Sequence, residues 1–89
     1  MKLFSWNNEK NEWLREHRGI SFEIVLFHIL EGDLLDVIEH PNQDRYANQK
    51  IFIINIDSYV YMVPFVENDE EIFLKTIIPS RKLTKKYLR

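Results

Sequence analysis

The spacing of apolar and polar positions predicts two short helices at the start of the chain. Over residues 8–18, Trp13, Leu14 and the aliphatic stem of Lys10 lie on neighbouring turns of a helix, and over residues 22–31 the apolar residues include Val25, Phe27, Ile29 and Leu30. Each segment is bracketed by residues that favour helix ends: Asn7 and Gly19 for the first, Ser21 and Gly32 for the second. Periodicity and caps therefore agree on two helices.

From residue 34 onward, the pattern changes to short and dense apolar runs, which are typical of strands. This pattern predicts four strands, over residues 34–38, 50–56, 59–66 and 72–78. Asp57 and Ser58 are placed to form a two-residue hairpin connection, and Pro64 indicates an edge position or a bulge. Ser80 is placed to cap a final helix that runs to Arg89.

The order of these elements predicts the fold class. We expect an α+β fold in which the two N-terminal helices pack on a four-stranded, mainly antiparallel meander sheet, with a short C-terminal helix. The 89 residues contain no internal repeat and no linker. This length suffices for one domain, over residues 1–89, and is too short for two.

Composition excludes several kinds of site. The chain has no cysteine, so it has neither disulfides nor thiolate ligands for zinc, and its three histidines lack a metal-ligating spacing. Both glycines lie at predicted helix ends, so no glycine-rich phosphate loop is present. We therefore expect neither a metal nor a cofactor.

Hydropathy predicts a cytoplasmic protein that does not associate with membranes. The chain reaches Asn7 and Asn8 without an apolar signal region. No apolar run approaches the roughly 20 residues of a membrane span. The lack of cysteine fits a reducing compartment.

Charge is distributed unevenly along the chain. Residues 81–89 contain five bases and no acid, whereas the other 80 residues hold seven bases against 14 acids. A basic tail on an acidic body indicates a contact surface for phosphates or for an acidic partner protein. The structural alternative is a solvated helix end, whose cations complement the helix dipole.

The last predicted strand carries candidate phosphate-binding residues. Strict alternation along it places one set of side chains on a common face: Phe73, Lys75, Ile77 and Pro79. Arg81 follows in the same phase if the extended conformation continues that far. This face therefore offers cations to an RNA phosphate.

Two other segments add aromatic and acid–base groups. Tyr59 and Tyr61 share one face of their predicted strand and are candidates to stack an RNA base. His40, on the connection before the central hairpin, is a candidate to transfer a proton in cleavage by the 2′-hydroxyl. The structural alternative is that both tyrosines are core aromatics and that Lys75 is solvated.

Two sequence blocks, one near each end, are similar to a known family. The first comprises Phe4-Ser5-Trp6-Asn7, Lys10-Asn11 and Gly19-Ile20-Ser21-Phe22-Glu23. The second comprises Ile77-Ile78-Pro79-Ser80-Arg81-Lys82 and Thr84. At similar spacing, these blocks resemble the opening and the closing segments of BrnT-family toxins from type II toxin–antitoxin systems.

The resemblance implies a RelE-like ribonuclease fold with helices on one face of the sheet. It also implies RNA cleavage that arrests translation, and neutralisation by a cognate antitoxin, with a homo- or hetero-oligomer as the assembly. Arg81 and Arg45 match arginines of the family pattern and are assigned catalytic roles. His40 and Lys75 join the catalytic set on the chemistry of their own side chains and not on the resemblance. The candidate RNA-binding residues are Tyr59, Tyr61, Lys82, Lys85 and Lys86.

A second hypothesis belongs to a different functional class. In it, the chain is a toxin-like protein-interaction domain without catalysis, and the basic C-terminal tail binds an acidic partner. The acidic body of the chain favours this hypothesis, because acidic charge works against RNA binding. The sequence alone leaves both hypotheses open.

Overall fold

The computed structural model describes residues 2–88 and has an α+β fold, as predicted. Its helices and strands follow in this order: β1 (Leu3–Trp6), α1 (Asn8–Arg18), α2 (Phe22–Leu30), β2 (Leu34–Glu39), β3 (Lys50–Ile56), β4 (Tyr59–Glu67), β5 (Glu71–Leu74), β6 (Ile78–Pro79) and α3 (Arg81–Tyr87).

Helices α1 and α2 form where the sequence predicted them, because their ends are capped. The Asn7 side chain accepts a hydrogen bond from the backbone N–H of Lys10 at 2.8 Å. Gly19 ends α1 with a φ of 66°, in the left-handed region that favours glycine. Ser21 caps α2 by accepting a hydrogen bond from the N–H of Ile24 at 3.3 Å.

The sheet is mixed and larger than the four-stranded antiparallel sheet that the sequence predicted. Its strand order is β1-β5-β4-β3-β2, and β6 also pairs with β4. Strand β1 runs parallel to β5, from Leu3 opposite Glu71 to Trp6 opposite Leu74. The four residues of β1 are too few for periodicity to identify a strand, which is why the sequence did not predict it.

The strand predicted over residues 72–78 is interrupted. Strand β5 ends at Leu74, and pairing with β4 resumes only at β6. Leu74 and Ile77 belong to the same hydrophobic core on one face of the sheet although they lie three positions apart, which strict alternation does not allow. The prediction of a common face is therefore wrong for Phe73, Lys75, Ile77 and Pro79.

One face of the sheet is covered by α1 and α2, which enclose the main hydrophobic core. Leu14 and Phe22 are fully buried there and pack against alternate residues of β3. The Trp6 ring stacks on the Phe22 ring with centroids 5.6 Å apart, so β1 also contributes to this core. Its buried members are Leu14, Ile20, Phe22, Val25, Phe52, Ile54, Ile56, Val63, Phe65, Leu74 and Ile77.

Helix α3 packs on the opposite face, so helices cover both faces instead of the single face that the resemblance implied. Ile51, Ile53 and Val60 form a smaller buried cluster on this face. The residues of the C-terminal segment that contact it are Leu83, Tyr87 and Leu88. Burial on both faces explains the continuous apolar run of β3. The predicted helix extended to Arg89, which lies outside the described residues.

The β3–β4 hairpin forms through the predicted two-residue connection. Asp57 and Ser58 have φ values of 53° and 67°, the pair of positive values that a type I′ turn requires. The register that follows places Ile56 opposite Tyr59 and Ile54 opposite Tyr61. Both tyrosines therefore lie on the face covered by α1 and α2.

Candidate functional site

Two of the predicted catalytic residues, His40 and Lys75, line a single surface cleft of about 350 Å³, which we name the His40 cleft. Its walls come from α1, from the β2–β3 connection, from β4 and from the segment around the β5–β6 interruption. The complete lining is Lys10, His40, Tyr46, Gln49, Pro64, Lys75, Thr76 and Ile78.

The interruption of the sheet beside Pro64 positions Lys75. Pro64 lies in β4 between the residues that pair with β5 and those that pair with β6. Proline has no N–H for a strand ladder, and its carbonyl oxygen accepts a hydrogen bond from the N–H of Lys75 at 2.8 Å. The chain leaves the ladder at this point, and the exposed Lys75 side chain borders the cleft.

The β2–β3 connection positions His40 and sets which ring nitrogen is available. The backbone N–H of His40 donates to the Gln49 carbonyl oxygen at 2.9 Å, and the ring lies 4.2 Å from the Tyr46 ring, centroid to centroid. Nδ1 of His40 accepts a hydrogen bond from the N–H of Asn42 at 3.1 Å. Because Nδ1 accepts this hydrogen bond, a neutral His40 ring carries its proton on Nε2. The Nε2–H group is then a hydrogen-bond donor.

Two lysines provide positive charge at the His40 cleft. Nζ of Lys10 lies 4.7 Å from the Trp13 ring centroid, and Nζ of Lys75 lies 5.7 Å from the Phe73 ring centroid. Within residues 2–88, neither ammonium group forms an ion pair with a carboxylate. Both charges are therefore available to an anion in the cleft.

Arg45 lies beside the His40 cleft without lining it. Its guanidinium carbon is 5.5 Å from the centroid of the Tyr46 ring, which itself lines the cleft. Its backbone N–H donates to Oδ1 of Asn42 at 3.2 Å, and this contact belongs to the same turn that holds His40. The structure thus brings Arg45, His40 and Lys75 into one region.

The structure places Arg81 apart from this group. Arg81 is the first residue of α3, is exposed and is not among the residues that line the His40 cleft. Ile78 of the cleft wall precedes it by three positions, and Ser80 between them caps α3 by accepting a hydrogen bond from the N–H of Leu83 at 3.1 Å. The predicted strand phase that joined Arg81 to Lys75 does not exist, because β6 is followed directly by this helix.

Helix α3 presents the predicted basic residues to solvent. Lys82, Lys85 and Lys86 are exposed, while the apolar side chains of the helix contact the sheet. Oγ1 of Thr84 accepts a hydrogen bond from the N–H of Val60 at 2.9 Å, which ties the helix to β4. The basic residues therefore lie on the side of the amphipathic helix that faces away from the sheet.

A second contact fixes the end of α3. The Tyr87 hydroxyl donates to Oδ2 of Asp36 in β2 at 3.0 Å. The hydrogen bond to this carboxylate, with some burial, raises the pKa of Tyr87, because loss of the phenolic proton would place two negative charges together.

The two predicted base-stacking tyrosines lie on the other face of the sheet from α3. Tyr59 and Tyr61 have ring centroids 5.7 Å apart, and Tyr61 packs partly against the main core. The predicted RNA-binding set is thus divided between two faces. The shared face of the tyrosines matches the strand phase that the sequence predicted.

Tyr61 lines a second cleft, of about 530 Å³, which we name the Arg18 cleft. Its other lining residues are Arg18, Ile20, Ile78 and Pro79. Nη1 of Arg18 donates to the carbonyl oxygen of Ile77 at 2.9 Å, which holds the guanidinium at the mouth of this cleft. Arg18 was not among the site residues predicted from the sequence.

A cationic and aromatic cluster on α1 was also missed. Nζ of Lys10 lies 4.7 Å and the guanidinium carbon of Arg18 lies 5.4 Å from the centroid of the Trp13 ring. The ring of His17 stacks on the same indole with centroids 4.6 Å apart. The spacing of residues 10, 13 and 17 along one helix face was the available signal.

The described residues offer no other site of a familiar kind. Residues 2–88 contain no group of three or more His, Asp or Glu side chains that could hold a metal ion. Nor does any helix in this range have the length and apolar character needed to cross a membrane.

Comparison of the chain with models of protein families, with curated proteins and with solved structures finds no match.

Proposed function

We propose that this chain is a ribonuclease toxin of the BrnT type, with a RelE-like fold, which acts in the cytoplasm and is neutralised by a cognate antitoxin. One observation carries the proposal: His40 and Lys75, chosen from the sequence for acid–base and phosphate-binding chemistry, line the same cleft. Lys10 and Tyr46 add a second cation and an aromatic ring there. The terminal blocks that resemble the family give independent support.

The cleft residues suit cleavage of RNA by its own 2′-hydroxyl. In that reaction the 2′-oxygen attacks the adjacent phosphorus and the bond to the 5′-oxygen breaks. The proton of the 2′-hydroxyl leaves to solvent, and the departing 5′-oxygen gains one. The products are a 2′,3′-cyclic phosphate and a 5′-hydroxyl, and neither a metal nor a cofactor is required.

Charge stabilisation is the contribution that the present geometry supports best. Negative charge develops on the phosphoryl oxygens in the transition state, and Lys10 and Lys75 border the space where these atoms would lie. Nε2–H of His40 supplies a neutral donor beside them, because Nδ1 is occupied by the Asn42 N–H. For His40 to transfer a proton directly, the protonation of its two ring nitrogens would have to change, and Nδ1 would have to release the hydrogen bond from the Asn42 N–H.

The second candidate function is a protein-interaction domain without catalysis. The observation in its favour is the exposed row of bases on α3, none of which forms an ion pair with a carboxylate within residues 2–88. In this case the acidic partner would contact Lys82, Lys85 and Lys86. The ribonuclease proposal requires His40 and Lys75 for activity, whereas an interaction domain of this kind makes no use of the His40 cleft.

The first experiment is induced expression in a bacterial host, with growth and bulk translation followed over time. Under the ribonuclease proposal, expression arrests both, and co-expression of the cognate antitoxin restores them. Arg81→Ala tests the resemblance, because the family pattern makes Arg81 catalytic while the structure places it outside the cleft. Normal growth at high levels of folded protein would favour the interaction domain.

The second experiment measures cleavage of single-stranded RNA by the purified chain. We expect His40→Ala and Lys75→Gln each to lower the rate by about a hundredfold, since each removes one stabilising group. A metal chelator is expected to leave the rate unchanged.

The matched control for Lys75→Gln is Lys50→Gln, which removes the same charge from a lysine that does not line the cleft and that pairs with Glu67 at 3.4 Å. Equal rates for Lys75→Gln and Lys50→Gln would exclude the His40 cleft as the site. Activity that disappears on further purification would exclude the ribonuclease proposal altogether.

A further inference from the structure

The His40 cleft and the Arg18 cleft share a wall. Ile78 lines both of them and is 36 % exposed, so the two clefts lie on either side of one side chain. Strand β6 is only two residues long, which makes this part of the sheet edge narrow. A flexible ligand can therefore pass from one cleft to the other around Ile78.

Helix α1 provides a cationic rim along this path. Lys10 lines the His40 cleft and Arg18 lines the Arg18 cleft, and both cations lie against the ring of Trp13. The two cations are therefore no farther apart than the sum of their distances to that ring. Trp13 is 41 % exposed, so the rim is accessible.

Arg18 is held in place while most of its donors stay available. One guanidinium N–H group donates to the Ile77 carbonyl oxygen at 2.9 Å, and a guanidinium has five such groups. Within residues 2–88 no carboxylate pairs with it. An arginine fixed through one nitrogen can bind a phosphate through another, with little loss of side-chain freedom.

We propose that α1 forms a second RNA-binding subsite, in which Lys10 and Arg18 bind consecutive phosphates of a single strand that passes from the His40 cleft to the Arg18 cleft. Tyr46 lies in the first cleft and Tyr61 in the second, so each cleft also offers an aromatic ring to a base. Alternation of cations and aromatic rings favours a single-stranded nucleic acid over an acidic peptide. The inference rests on the proposed function and extends it to the substrate class.

A binding assay tests this subsite without depending on cleavage. The probe is a fluorescein-labelled oligodeoxynucleotide of about eight nucleotides, within the usual range of single-strand site sizes. It lacks the 2′-hydroxyl and therefore cannot be cleaved by that route. Fluorescence anisotropy gives its affinity for the full chain at several salt concentrations.

We expect Arg18→Gln to weaken binding about three- to tenfold and to lower the slope of log affinity against log salt by about 0.7, the value for one phosphate contact on a single strand. Arg15→Gln is the matched control, since Arg15 is an exposed arginine of the same helix that pairs with Glu12 and Glu23. Circular dichroism and thermal melting of both variants show whether each remains folded.

Equal affinities of folded Arg18→Gln and Arg15→Gln would overturn the subsite. A polyglutamate peptide that competes as well as the oligonucleotide does would overturn the choice of ligand. Binding that depends on Arg18 in a chain that cleaves no RNA would support the subsite and overturn the ribonuclease proposal. Cleavage that depends on His40, together with binding that does not depend on Arg18, would support the ribonuclease proposal and overturn the subsite.

Discussion

The two faces of the sheet differ in the apolar surface that they bury and in the charge that they present. Eleven buried residues form the core under α1 and α2, whereas three form the cluster under α3. The outward side of α3 carries a row of exposed bases. Substitutions at the solvent-facing positions of α3 are expected to change stability little, because these side chains do not contribute to the core. The face under α1 and α2 therefore supplies most of the stability, and the face with α3 presents the basic charge.

Part of the acidic charge of the chain lies on α2 and β2. Residues 21–39, which form α2 and β2, contain five acids and no lysine or arginine. A nucleic acid would be repelled from this part of the surface and attracted to Lys75 and to the bases of α3. The net charge of −2 therefore does not argue against RNA binding, because residues 81–89 are uniformly basic while residues 21–39 are acidic.

The largest effect is expected from truncation on the face of α1 and α2. Phe22 is fully buried and its ring stacks on Trp6, so Phe22→Ala removes a large side chain from the deeper core. We expect the free energy of unfolding to fall by about 3–5 kcal/mol. Urea denaturation monitored by circular dichroism measures this change.

The corresponding truncation under α3 is Leu83→Ala. Leu83 is only half-buried against the smaller cluster, so we expect a loss of about 1–2 kcal/mol. Similar losses for Phe22→Ala and Leu83→Ala would contradict the view that one face supplies most of the stability.

An intermediate effect is expected at a buried hydrogen bond between α1 and α2. Oδ1 of Asn11 accepts from the N–H of Phe22 at 2.8 Å, and its Nδ2 donates to Oε1 of Glu23, also at 2.8 Å. Asn11→Ala leaves a buried N–H without a partner, so we expect a loss of about 1–3 kcal/mol. The exposed Asn8→Ala is the control and should change stability by less than about 0.5 kcal/mol.

The same hydrogen bond has a pH signature. The Asn11 side chain, more than any other group, holds the pKa of Glu23 below its ordinary value. A lowered pKa in the folded state stabilises the fold above the unfolded pKa, and this contribution is lost as pH falls through the folded pKa. The stability difference between the parent chain and Asn11→Ala should therefore narrow in acid. A constant difference at all pH values would show that Glu23 plays no part.

Local signals predicted the helices well, while the sheet depended on contacts distant in sequence. The caps at Asn7 and Ser21 can be recognised from the few residues at each helix start, because each cap bonds to a backbone N–H three positions later. Helix α1 accordingly forms over its predicted residues. Strand β1 is defined by its parallel partner β5, which no local pattern reveals. The β5–β6 interruption likewise follows from packing, because Leu74 and Ile77 are buried together.

The candidate site likewise combines residues that the sequence predicted with an arrangement that depends on contacts distant in sequence. The sequence pointed to His40 by its residue type and its place on a connection, and to Lys75 by a strand phase that the structure does not have. Their common cleft depends on the fold of the β2–β3 connection, which no spacing reveals, and on the break in the ladder beside Pro64, where the proline indicated only an edge position or a bulge. Arg18 was missed because its role depends on the position of β6.

The smallest effect is expected at the contact that joins α3 to β2. Tyr87→Phe keeps the packing of the ring but removes the hydrogen bond to Asp36, so we expect a loss of about 0.5 kcal/mol at neutral pH. The raised pKa of Tyr87 means that this contribution is present below the unfolded pKa of tyrosine and disappears as pH rises through the folded value. The stability difference between the parent chain and Tyr87→Phe should thus be constant near neutrality and vanish in strong base. The other tyrosines cancel in this comparison, since both chains contain them. No difference at neutral pH would mean that Tyr87 acts through packing alone, and α3 would then be held by its apolar contacts with the smaller cluster and by the hydrogen bond between Val60 and Thr84.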